Sequence, residues 1–235
     1  MPLKLLDDKR TYAEINSDKP EVCFLHGWGR SSNDFNLISK DFAHISFDLP
    51  GFGKSLEPLN SYTPKEYAYY INDFIPDSVN TLVGHSFGGR VAVYLSEIRN
   101  FDKLILISTP LISKHKFFKQ SKIFQIYKKF NKIGLISENF LEEQRDKHGS
   151  VDYRNAKGIM RQVLVKAVND DLSSYLKNIT TKVHLVWGEL DSEVPLEIAR
   201  ESNSLIQNSE LHILEGESHN PLLSSYNKII DILKI

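Results

Sequence analysis

Short apolar runs alternate along this chain with segments whose apolar residues recur every three to four positions. The runs read as strands over residues 10–15, 21–26, 43–48, 79–84, 103–108, 182–187 and 210–214, with a short leading strand near 3–6. The periodic segments read as helices over 64–75, 87–99, 195–207 and 220–234. Pro64 and Pro195 suit a first helical turn, where a proline forfeits no intrahelical hydrogen bond. Strand and helix in alternation predict an α/β fold with a mostly parallel central sheet flanked by helices.

The alternation breaks over residues 111–180, which hold no strand candidate. Ile123, Ile126, Tyr127 and Phe130 fall at i, i+3, i+4 and i+7, and Met160/Leu164 and Val163/Ala167 at i, i+4, so the stretch reads as helical. An ordinary run of sheet-covering helices is the alternative, and its length argues against that.

Composition narrows the class. The 235 residues fit one domain with a sizeable core, and 41% are hydrophobic, as in soluble globular proteins. Cys23 has no partner for an internal disulfide and sits in an apolar run, so it reads as a small buried hydrophobe. No run approaches the ~18 apolar residues of a membrane span, and the expected home is a reducing cytoplasm. No C-x-x-C, H-E-x-x-H or clustered His/Cys spacing points to a metal, and no cofactor is expected.

Charge is uneven. The chain carries 29 basic and 30 acidic residues, yet 111–180 holds 14 Lys/Arg against 7 Asp/Glu, and seven lysines with no acid lie between Lys114 and Lys132. A solvated helix face is one reading; a surface for an acidic partner, such as a carrier protein, is the other. Nucleic acid is disfavoured, because overall charge is near neutral and no recognition module is apparent.

The chemistry-bearing residues stand at strand ends. Thr81-Leu82-Val83 runs into Gly84-His85-Ser86-Phe87-Gly88 and then a helix pattern, which is strand, tight turn, helix with a serine at the apex. Glycines leave room for a strained backbone there, and the helix start offers N–H groups and a positive dipole end. His26-Gly27-Trp28-Gly29 ends another strand and can aim the Trp28 N–H, with that of Phe87, at one developing oxyanion. His26 itself reads as a structural residue of that loop. Trp187-Gly188 ends a third strand and releases Glu189, Asp191 and Glu193, and Gly216-Glu217-Ser218-His219 follows a fourth. Serine, acid and histidine thus occur in that order, each past the C-terminal end of a strand, where open parallel sheets bind ligands.

These motifs, with Asp48-Leu49-Pro50-Gly51-Phe52-Gly53-Lys54-Ser55, resemble the α/β-hydrolase-fold superfamily over nearly the full chain. The H-G-W-G and D-L-P-G-F-G-x-S segments are similar to carboxylesterases of the pimeloyl-carrier methyl ester esterase kind, and Gly88-Gly89-Arg90 is similar to the menaquinone-pathway lyases. The resemblance implies a core of 1–110 and 181–235 with 111–180 inserted as a helical cap. It implies a serine carboxylesterase with Ser86 as nucleophile, His219 as base and Asp191, matching the family's W-G-x-x-D, as the acid that orients it. Among the other histidines, His184 and His212 lie inside strand patterns, His85 adjoins the serine but points elsewhere, and His44, His115 and His148 lack a strand-end context.

Arg90, one turn beyond Ser86, could reach a substrate carboxylate, or could serve as a salt-bridge or packing arginine. Phe52, Phe124 and Tyr127 are candidates for an apolar acyl pocket. The competing functions are a carbon–carbon bond hydrolase or lyase on a carboxylated substrate, and a non-hydrolytic ligand sensor of the same fold. Dehalogenase and epoxide hydrolase chemistry are disfavoured, because both need a carboxylate where this chain has Ser86.

Overall fold

The computed structural model of the chain describes residues 3–113, 137 and 151–235. Phe124, Tyr127, His115, His148 and the lysine-rich stretch Lys114–Lys132 lie outside the described residues, as does most of the first half of the expected cap.

Eight strands form one sheet: β1 (Lys4–Leu5), β2 (Tyr12–Ile15), β3 (Val22–Leu25), β4 (His44–Asp48), β5 (Thr81–His85), β6 (Lys103–Ile107), β7 (Lys182–Gly188) and β8 (Ser209–Leu214). Their order is β1-β2-β4-β3-β5-β6-β7-β8. The β1–β2 and β2–β4 pairs are antiparallel, and every other neighbour is parallel. All the expected strands form, within one or two residues of their expected ends. The central ones are buried on both faces, which is why they read as continuous apolar runs.

The described helices are α1 (Asn36–Ser39), α2 (Pro64–Asn72), α3 (Phe87–Ile98), α4 (Val151–Asn155), α5 (Gly158–Asn169), α6 (Ser173–Leu176), α7 (Leu196–Leu205) and α8 (Tyr226–Lys234). Helix α2 starts where local chemistry dictates. Thr63 Oγ1 accepts from the Glu66 N–H at 3.2 Å, the Glu66 carboxylate accepts from the Thr63 N–H at 2.6 Å, and Pro64 takes the first helical position. The expected 220–234 helix begins only at Tyr226, because residues 221–225 form turns in which Ser224 and Ser225 hydroxyls donate to Glu217. Pro195 caps α7 from outside its first turn. The single-turn 3-10 segment Ser32–Phe35 and α1 are too short for periodicity to reveal.

Two apolar layers sandwich the sheet. Residues of α2, α3, α5 and α7, including Tyr67, Ile71, Val91, Leu95, Val163 and Ile198, pack on one face with Leu25, Phe47, Leu106 and Leu185. Phe35, Ile38 and the α8 residues Ile229, Ile230, Ile232 and Leu233 cover the other with Phe24, Val83, Ile105 and Val186. Each such side chain contributes about 1.5–3 kcal/mol by burial, against the entropy of ordering it.

The parallel register matters for function. His85 pairs with Ile107, Ile107 with Val186, and Gly188 with Leu214, so β5, β6, β7 and β8 end together. The loops that leave β5, β7 and β8 at this rim carry Ser86, Asp191 and His219.

The Asp48–Ser55 loop is a structural hub. Asp48 is buried; its Oδ1 accepts from the Ser32 N–H and hydroxyl at 2.8 and 2.7 Å, and its Oδ2 from the Lys54 N–H at 2.8 Å. The Ser55 hydroxyl donates to the Asp48 carbonyl at 2.5 Å and accepts from the Tyr12 N–H at 2.8 Å. The Asp48–Ser55 segment therefore ties β4, the 3-10 turn and β2 together.

Candidate active site

Ser86 stands between β5 and α3 with φ 49° and ψ −110°. That left-handed backbone costs a side-chain-bearing residue about 1–3 kcal/mol and survives only where its surroundings impose it. Its N–H donates to the Ile107 carbonyl at 2.9 Å, and its carbonyl accepts from the Gly89 N–H at 3.1 Å. A Cβ on Gly88 would strike the Leu25 carbonyl, so the turn presses directly against β3 and only glycine fits.

Across the rim, two loops lock together. The Glu189 N–H donates to the Leu214 carbonyl at 3.0 Å and the Leu190 N–H to the Glu217 carbonyl at 2.8 Å. Gly188 permits this, because a Cβ there would meet the Ser218 carbonyl. Trp187 Nε1–H donates to the Val194 carbonyl at 2.8 Å and closes the acid loop from below.

The structure brings Ser86, Asp191 and His219 into one relay. Asp191 is shielded from solvent; its Oδ1 accepts from the Glu193 and Val194 N–H groups at 2.9 and 2.8 Å, and its Oδ2 lies 2.8 Å from His219 Nδ1. His219 Nε2 lies 3.1 Å from Ser86 Oγ. A carboxylate only accepts, so Nδ1 carries the proton and Nε2 offers its lone pair to the serine hydroxyl. Of the other acids in that loop, Glu189 accepts from the Gly216 N–H at 3.0 Å, and Glu193 is exposed with an oxygen 3.7 Å from His219 Nε2.

Two neighbouring histidines are structural. His26 is fully buried; Nδ1–H donates to the Gly27 carbonyl at 2.7 Å and Nε2 accepts from the Leu49 N–H at 3.0 Å, while burial pushes its pKa down. His85 Nε2 donates to the His219 carbonyl at 3.0 Å, and burial followed by the proximity of His219 lowers its pKa to about 3.

Ser86 opens into a cavity of about 570 Å³, whose apolar wall includes Trp28, Phe87, Leu164, Ala167, Val168 and Val194. A second, more polar pocket of about 300 Å³ meets it at Ser86 and His219 and is lined by Arg30, Ser192 and Asn220. Asp152 and Glu193 border both. Burial, then the Glu193 carboxylate, raises the Asp152 pKa, with His219 opposing. No motif marks Asp152 in the sequence, whereas Leu164 and Ala167 were visible in the periodicity of α5.

Trp28 and Phe87 both border the cavity, and among the described residues no acceptor takes either N–H. Their rings pack edge to face at 5.5 Å. Phe52 lies beneath them, 4.9 Å from the Trp28 ring and 5.9 Å from Phe87, and supports the wall from behind. Arg90 is buried in the cavity wall. Its Nη1 donates to the Asp170 carbonyl at 2.7 Å and lies 3.8 Å from the Asp170 carboxylate, which also accepts from the Tyr94 hydroxyl at 2.9 Å. Burial pulls the Arg90 pKa down to about 10, with Asp170 opposing.

The eight-stranded, mostly parallel sheet flanked by helices is an α/β-hydrolase fold. Residues 24–231 match the Alpha/beta hydrolase family, and the chain belongs to it. A pimeloyl-[acyl-carrier protein] methyl ester esterase from Pseudoalteromonas atlantica is 28% identical, the match covering 92% of this chain and 93% of that protein. One of the same description from Wigglesworthia glossinidia brevipalpis is 26% identical over 89% of this chain and 90% of its own. Among solved structures, an esterase from Exiguobacterium antarcticum superposes with a TM-score of 0.73 at 23% identity, covering 99% of this chain and 97% of that one, which speaks to the fold. No described helix is long and apolar enough to cross a membrane.

Proposed function

We propose that the protein hydrolyses carboxylic esters of small to medium acyl groups through an acyl-enzyme on Ser86. The observation that carries this reading is the Ser86–His219–Asp191 relay, at 3.1 and 2.8 Å, opening into a largely apolar cavity. Ser86 Oγ attacks the ester carbonyl carbon while His219 Nε2 takes its proton, and the carbonyl π pair moves to oxygen. The N–H groups of Trp28 and Phe87 receive that oxyanion, each worth about 2.7–4 kcal/mol of barrier. His219 returns the proton to the departing alcohol, leaving the acyl group on Oγ. Water, deprotonated by His219, then releases the acid and restores the serine. Asp191 holds the tautomer and stabilises the imidazolium.

The acyl chain occupies the apolar cavity, whose far wall comes from α4 and α5 of the cap at 111–180. The similarity to esterases named for a pimeloyl-carrier methyl ester supports a medium-length acyl group presented on an acidic carrier protein in the cytoplasm. The ester reading uses Arg90, engaged by Asp170, as a support of the acyl pocket and not as an anchor for a substrate carboxylate.

A chain-length panel of p-nitrophenyl esters, with fluorophosphonate labelling read by mass spectrometry, tests the reading. We expect a burst of p-nitrophenol, the adduct on Ser86, and at least ~10³-fold loss of turnover in Ser86→Ala and His219→Ala. An adduct elsewhere, or comparable rates in those variants, overturns it.

A further inference from the structure

We propose that His184, Glu210 and His212 form a binding site for one divalent transition-metal ion, of the kind that prefers imidazole nitrogen, on the β7–β8 edge of the sheet. Glu210 and His212 are two apart on β8, and His184 on β7 pairs in register with Glu210, so all three project from one face. Among the described residues, their ligand atoms all lie within 4.8 Å of one another. His184 Nδ1 and His212 Nε2 are 2.9 Å apart, and the Glu210 carboxylate lies 3.9 Å from each.

The ordinary account of this contact is one imidazole N–H donating to the other ring. It gives no role to a carboxylate equidistant from both nitrogens. A metal ion uses both ring lone pairs and the carboxylate together. Two metal–nitrogen bonds of about 2.0–2.1 Å span 2.9 Å when the angle between them is about 90°, which suits tetragonal Ni²⁺ or Cu²⁺ better than tetrahedral Zn²⁺. Binding needs both rings, whose centroids lie 5.1 Å apart in a nearly end-to-end arrangement, to turn toward the ion, together with a rotation of Glu210, whose side chain is 57% exposed on the edge strand and leaves an entry path.

Charge cuts both ways. Lys182 and Lys103 lie near His184 and oppose a cation, while Glu210 offsets one of them. Spacing rules could not find this group, because its members lie on adjacent strands with 25 residues between His184 and Glu210. The site is independent of the ester chemistry, since none of its residues touches the cavity at Ser86.

The test is equilibrium dialysis and calorimetry of the full chain with Ni²⁺ alone. We expect one Ni²⁺ per chain, weakened at least ~10-fold by His212→Gln and by Glu210→Gln, with ester turnover unchanged in both variants and metal binding unchanged in His219→Gln. Glu210 is exposed, so its variant folds even if that of His212 does not. Absence of saturable binding at ~100 μM Ni²⁺, or binding that survives these substitutions, overturns the site.

Discussion

Replacing Asp191 by asparagine separates the tautomer argument from mere packing. The amide fits the same space but has one acceptor oxygen and one NH₂ donor. Asp191 Oδ1 now accepts from two backbone N–H groups, those of Glu193 and Val194, and Oδ2 faces His219 Nδ1. With the amide oxygen left on the backbone side, its NH₂ faces Nδ1, and His219 must shift its proton to Nε2. With the amide flipped, two backbone donors lose their acceptor, at about 1–3 kcal/mol each. Retautomerising an imidazole costs less, so the variant adopts the form whose Nε2–H points at Ser86 and cannot accept its proton. We expect kcat to fall about 10⁴-fold, equivalent to about 5.5 kcal/mol of barrier, with KM near wild type because Asp191 does not line the cavity. The melting temperature should barely move, since every donor keeps a partner. Steady-state kinetics on a p-nitrophenyl ester, with ¹⁵N NMR of the imidazole, read both. A variant within ~10-fold of wild type would refute the reasoning.

Arg90→Met leaves the half-buried Asp170 carboxylate without its counter-charge and should cost roughly 3 kcal/mol in urea unfolding, with KM for neutral esters within about 3-fold. A KM for a carboxylated ester that rises tenfold or more at unchanged stability would instead assign Arg90 to the substrate. Stability should also fall with acid. His26 and His85 are buried with depressed pKa values, so below pH ~6.5 the unfolded chain takes up protons that the folded one refuses. Each group then removes up to about 1.4 kcal/mol per pH unit as pH drops from 6.5 toward its folded value, about 3 for His85. Unfolding midpoints that stay flat between pH 7 and 5 would contradict this.

The strands were readable because the central ones are buried on both faces, and burial leaves a run of Val, Ile, Leu and Phe that no loop needs. Ser86, Asp191 and His219 were readable for a different reason. Glycines near Ser86 and Asp191 let backbones touch, as at Gly88 against Leu25 and Gly188 against Ser218, Gly216 ahead of His219 takes a φ of 72°, and glycines at strand ends punctuate a sequence. The start of α8 was misplaced by six residues because Pro221-Leu222-Leu223 continues the apolar pattern, while Ser224 and Ser225 turn to Glu217. Arg90 was ambiguous in principle. Its partner Asp170 is 80 residues away, and no local pattern can tell a guanidinium that awaits a ligand from one already paired. Phe52 has the composition of a pocket residue but lies one layer behind Trp28 and Phe87.

The two kinds of residue therefore answer to different constraints. The relay is positioned by main-chain bonds within the sheet rim: Ser86 N–H to Ile107, Leu190 N–H to Glu217, and the Asp191 carboxylate to the Glu193 and Val194 amides. None of these contacts involves the segment between β6 and β7, so changes there can alter the cavity while the relay keeps its geometry. Leu164, Ala167 and Val168 reach the cavity from α5 in that segment, where any apolar side chain of suitable size would satisfy the fold. Exchanging Leu164 for Ala or Phe should therefore move the preferred acyl length by about one to two methylenes, each worth about 0.8 kcal/mol, while leaving the burst on the best-fitting ester intact. A panel in which either substitution abolishes turnover on every ester, with the fold preserved, would mean that the segment between β6 and β7 shapes the chemistry as well as the choice of substrate.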